Sequence, residues 1–108
     1  MKTIRLTYAA IAGIALSDTA GAAISNSEAT QLMQQHNCQA CHAVDKKLVG
    51  PAFKDVAQKY ATDASAPDKL ALKIKTGGGG VWGPIPMPPN NVSDADLNKL
   101  VAWILSLK

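Results

Sequence analysis

Cysteine is scarce in this chain: two in 108 residues, both inside Cys38-Gln39-Ala40-Cys41-His42. A four-ligand zinc site therefore has few donors to draw on, since the only other histidine is His36 in the same short segment. Aromatic residues make up 5%, and only Phe53, Tyr60, Trp82 and Trp103 lie beyond the first 22 positions, so side chains alone supply a thin core. Charge of one sign is lacking as well. The 11 basic and 8 acidic residues leave +3, and without Lys2, Arg5 and Asp18 the balance is 9 to 7, too mild to point to nucleic acid. No strand-like alternation is present, which removes the βαβ setting expected of a Cys-x-x-Cys dithiol. No free acid, base or nucleophile is gathered in a motif, so the chain is expected not to be an enzyme.

Long hydrophobic runs are missing too. Leu6–Leu16 is mostly apolar, but Asp18 interrupts it before the roughly 20 apolar residues that a membrane-spanning helix needs. The positive start at Lys2 and Arg5, the apolar middle and the small residues Ala20-Gly21-Ala22 read as a secretory signal peptide over residues 1–22. The other 86 of the 108 residues, 23–108, make one small domain.

What is present is concentrated. Two thiols three residues apart, followed at once by an imidazole, form the attachment signature of a c-type haem. Residues i and i+3 lie on one side of a helical turn, so Cys38 and Cys41 can both form thioethers with vinyl groups on one porphyrin edge. His42 then falls under the ring with a nitrogen free for iron. A large apolar macrocycle would also complete the core that few aromatics can fill. On the pentapeptide alone, a redox dithiol and half of a zinc site are the competing readings.

Four helical stretches are expected. Ser25 and Glu28 have capping-box spacing, Ala29, Leu32, Met33 and His36 recur at helical intervals, and Asn37 suits a terminator. His36 reads as an ordinary surface or partly buried residue. Phe53, Val56, Ala57 and Tyr60 mark a second helix. After a break at Asp63–Pro67, Leu70, Leu72 and Ile74 are the apolar members of a third, with Lys69, Lys73 and Lys75 exposed. Gly77–Gly80 reads as a flexible turn, since no Gly-Lys-Ser/Thr of a phosphate loop follows. Ser93 caps a last helix with Leu97, Leu100, Val101 and Ile104 on one stripe, widened by Trp103 and Leu107 and expected to pack on the first helix.

Between the last two helices Pro84, Pro86, Pro88 and Pro89 forbid regular structure. Met87 sits in this rigid, extended loop between prolines. Alone, a loop methionine is more often core filling than ligand. With Cys38, Cys41 and His42 upstream it reads as the second axial ligand, completing the His/Met pair that raises the potential of electron-carrying cytochromes. Pro51 can offer a carbonyl to the other ring nitrogen of His42, fixing its tautomer.

Three stretches carry a family resemblance: Cys38–His42, Val49-Gly-Pro-Ala-Phe-Lys-Asp-Val56, and Gly80-Val-Trp-Gly-Pro-Ile-Pro-Met-Pro-Pro-Asn90. On these, the chain from Glu28 to Lys108 resembles the small bacterial class I cytochromes c of the c-551, or c8, type. The resemblance implies an all-α fold of about four short helices around one covalent haem c, in a soluble, monomeric, periplasmic carrier of single electrons. It makes His42 the proximal and Met87 the distal ligand. Trp82 matches the position whose indole N–H bonds a haem propionate, and Asn90 the position whose amide approaches the methionine sulfur. Lys73 stands where well-known members have an arginine near a propionate, and a lysine is a point charge rather than a planar fork. The implied partners are a cytochrome bc1 complex as donor and a nitrite reductase, other terminal reductase or oxidase as acceptor, with no stable membrane association. Lysines 46, 47, 54, 59, 69, 73 and 75 could steer an acidic partner. A haem sensor with an open sixth position is the rival, and Met87 speaks against it.

Overall fold

Ser25 has an extended backbone and its hydroxyl accepts the Glu28 amide at 3.1 Å, so a helix begins just after this cap. The structure is a computed structural model that describes residues 24–108 and positions 7, 9 and 13. Apart from those three positions, the leader expected over residues 1–22 lies outside the described residues. Four α-helices follow in order: α1 (Asn26–Gln35), α2 (Phe53–Lys59), α3 (Ala66–Thr76) and α4 (Asp94–Ser106), with a 3-10 turn at Cys38–Ala40. Among the described residues there is no strand, only two isolated bridges, His42 with Lys47 and Gly78 with Met87. The fold is all-α.

Helix α4 is the body on which the others dock. Capped by Ser93, whose hydroxyl accepts the Asp96 amide at 3.2 Å, it buries Leu97, Leu100, Val101, Trp103 and Ile104. Leu100, Trp103 and Ile104 pack with Ala29, Leu32 and Met33 of α1 and with Phe53 and Val56 of α2. Leu97 and Val101 pack with Val92 and with the inner face of α3, Leu70, Ala71 and Ile74. Burial of each large side chain is worth ~1.5–3 kcal/mol. The Trp103 indole N–H donates to Asn26 Oδ1 at 3.0 Å and Lys99 pairs with Glu28 at 3.5 Å, fastening α4 to α1. Helices α2 and α3 each contact α4 but do not pack on each other.

Three expectations about α3 need correction. Leu72 is 62% exposed, because it lies about 200° around the helix from Leu70 on one side and Ile74 on the other. Lys73 is half-buried rather than exposed. The glycine run after Thr76 is an ordered brace, described below. The start of α3 also has a device that a break signal alone does not reveal. Asp63 accepts the Ser65 amide at 2.9 Å and its hydroxyl at 2.6 Å, and pairs with Lys69 at 2.7 Å. Lys69 first, then Ser65, holds this carboxyl down to about 2.

Candidate haem site

Asn37 adopts a left-handed conformation, φ 60°, and turns the chain out of α1. The 3-10 turn follows at once. The Cys41 and His42 amides both donate to the Cys38 carbonyl, at 3.2 and 3.1 Å, so two sulfurs and an imidazole leave one turn of backbone. Both cysteines are half-buried. Burial pushes the Cys38 thiol above its ordinary value, and a backbone hydrogen bond offsets only part of this. A redox dithiol works through a depressed thiol, so the Cys38 environment runs the other way. Among the described residues no three His, Cys, Asp or Glu side chains form a metal-holding group.

His42 is held on several sides. Its Nδ1 lies 2.8 Å from the Pro51 carbonyl oxygen. A carbonyl only accepts, so Nδ1 carries the proton and Nε2 keeps a lone pair for a metal. Phe53 stacks on the ring with centroids 5.0 Å apart and planes 19° from parallel, and Trp103 meets Phe53 edge-on at 6.0 Å. Gly50 closes in from elsewhere: a Cβ there would stand 2.5 Å from His42 Cε1 and 3.0 Å from Nε2. The approach is fixed by Gly50 N–H donating to Cys41 O at 2.8 Å, and by Phe53 N–H donating to Ala43 O at 3.0 Å.

Met87 is half-buried in the proline loop, and its backbone exchanges two hydrogen bonds with Gly78, at 2.9 and 3.0 Å. Asn90 Nδ2 donates to Pro88 O at 3.0 Å and Ile74 O at 3.4 Å, tying the loop to the end of α3. Trp82 is 39% exposed, with Lys59 Nζ 5.6 Å from its ring centroid. Cys38, Cys41, His42, Pro51, Trp82 and Met87 all line one cavity of about 610 Å³, and Asn90 does not. Pockets for small molecules and cofactors run to ~300–1,000 Å³.

The lining fits a haem by its chemistry. Leu100 and Ile104 of α4, with Met33, Phe53 and Val56, give it apolar walls for a macrocycle. A neutral imidazole nitrogen and a thioether suit iron. The charged residues of the lining are Lys47, Lys69 and Lys73, with no carboxylate among them, as suits a group that carries two carboxylates of its own.

Residues 27–108 match the family model for Cytochrome c. The chain belongs to the class I cytochromes c. This cytochrome is 58% identical over 78 residues to cytochrome c-552 of Hydrogenobacter thermophilus, covering 72% of this chain and 80% of that protein. It is 57% identical over 77 residues to cytochrome c-551 of Pseudomonas aeruginosa, covering 71% and 74%. The crystal structure of wild-type Nitrosomonas europaea cytochrome c552 superimposes with a TM-score of 0.70 at 59% identity, over 73% of this chain and 99% of that one. The cytochrome thus stands close to the c-551 type and carries one covalent haem c.

The sequence shows no sign of the close approach of Gly50 to His42, of Gly77 to the Met87 loop or of Lys59 to Trp82, and marks Phe53 only as part of a stripe. What Gly50 makes room for depends on a ring eight residues earlier.

Proposed function

We propose that this cytochrome is a soluble, periplasmic one-electron carrier of a respiratory chain, with Cys38 and Cys41 as thioether anchors and His42 and Met87 as the axial ligands. The observation that carries this reading is the 2.8 Å bond from His42 Nδ1 to the Pro51 carbonyl, which leaves Nε2 as a metal-binding base. A bound haem supplies reversible ferric–ferrous chemistry. The chain's own residues orient it: Phe53 and Gly50 restrict the imidazole, and the proline loop presents the thioether. With both axial ligands drawn from the protein no position is left for a substrate, which favours a carrier over a gas sensor.

Trp82 and Lys73 are the candidates to meet the propionates, and Asn90 stays the candidate to act on the methionine, here as a tie on its loop. Lys54, Lys69, Lys75 and Lys99 form ion pairs with Asp45, Asp63, Asp94 and Glu28. Lys46, Lys47, Lys59 and Lys73 stand outside these pairs, and Lys47 and Lys73 line the cavity. They suit an acidic redox partner, with a cytochrome bc1 complex as donor and a nitrite reductase or terminal oxidase as acceptor. Residues 1–22 would direct export.

The test is Met87→Ala in the exported holoprotein. Its potential should fall, its sulfur-to-iron absorption band should vanish, and carbon monoxide should bind the reduced form of the variant but not that of the parent. A variant that keeps the parent's band and potential removes Met87 from the coordination sphere. Prompt carbon monoxide binding by the parent would favour the sensor.

A further inference from the structure

Gly77 presses on the backbone of the Met87 loop. A Cβ at Gly77 would stand 2.3 Å from the Met87 carbonyl oxygen and 2.9 Å from both Pro88 C and Pro89 N. All three are backbone atoms of a proline-stiffened segment, which cannot give way cheaply. The glycine also holds φ 69°, a conformation that favours glycine. Its neighbour Gly78 exchanges two hydrogen bonds with Met87, and three residues on, the Asn90 amide donates to the Ile74 carbonyl at 3.0 Å. The end of α3 and the residues just beyond it therefore grip the loop at the methionine and again three residues after it.

We infer that Gly77 is a positioning residue for the distal ligand: the contact of its bare Cα with the Met87 carbonyl sets how far the thioether stands from α3. This rests on the reading of Met87 as the iron ligand. A side chain at Gly77 pushes the Met87 backbone away, breaks the Gly78 pair and weakens the bond that the thioether makes to iron. The predicted signature is electronic as well as structural, because a loosened thioether no longer raises the potential.

Leu72 supplies the control: it is exposed on α3 and lies outside the cavity lining. In the holoprotein, Gly77→Ala should lower the reduction potential, weaken the sulfur-to-iron band and admit carbon monoxide to the reduced form. Leu72→Ala, on the same helix but clear of the Met87 loop, should keep the parent's values in all three. A folded Gly77→Ala protein with the parent's band, potential and carbon monoxide behaviour overturns the inference.

Should Gly77→Ala fail to fold, amide exchange in the parent decides. The Gly78 and Met87 amides should exchange together and about ten-fold slower than the Trp82 amide, as two mutual hydrogen bonds require. Exchange as fast as at Trp82 overturns the brace. Failure of the ligand reading is recognised separately, by a Met87→Ala protein that retains the parent's band.

Discussion

Gly50 and His42 show how much one absent methyl can decide. With a Cβ placed 2.5 Å from the imidazole, Gly50→Ala must push the ring off Phe53 or lengthen its bond to Pro51. The expected cost is that of overpacking, ~1–3 kcal/mol, visible as a lower melting temperature of the holoprotein and a shifted Nδ1 proton resonance. At this scale the sequence was most legible where chemistry dictates spacing. Cys38, Cys41 and His42 leave one turn of backbone, as their spacing requires. Gly50 and Gly77 were not legible, because a glycine's role depends on what approaches it, and their neighbours come from residues 42 and 87–89.

Caps and stripes made the helices readable. Ser25 and Ser93 both accept the amides that their positions predict, and Ser93→Ala should cost about 1 kcal/mol in denaturant unfolding, the usual loss for such a cap. Leu72 was misread because apolar character was counted without its angle, and the glycine run because composition suggests looseness where hydrogen bonds to Met87 enforce order. The start of α3 responds to acid. Asp63 has an ordinary value of 3.8 and a folded one of about 2, so its ionised form stabilises the fold above about pH 4. That contribution is lost as pH falls towards 2. Asp63→Asn should flatten this part of the acid unfolding curve, followed by circular dichroism, and high salt should shrink the difference because the pair lies at the surface.

For the whole molecule, α4 is what unites the other three helices. Leu100 is buried against α1 and α2 and also lines the cavity, so Leu100→Ala should cost ~2–5 kcal/mol and disturb the site as well as the core. Calorimetry with a redox titration of the same variant checks both. The lysines outside ion pairs predict a second molecule-wide property. Electron exchange with an acidic partner should slow as ionic strength rises, and Lys47→Gln with Lys73→Gln should weaken that dependence.

Helix α2, whose Phe53 backs the imidazole, and α3, whose end grips the methionine loop, are both mounted on α4 and not on each other. Two fittings bolted to one keel ride the same swell. Under the proposed ligation, a shift of α4 would move nitrogen and sulfur together and change the gap between them little. An iron so clasped would pass between its two charges with little rearrangement around it.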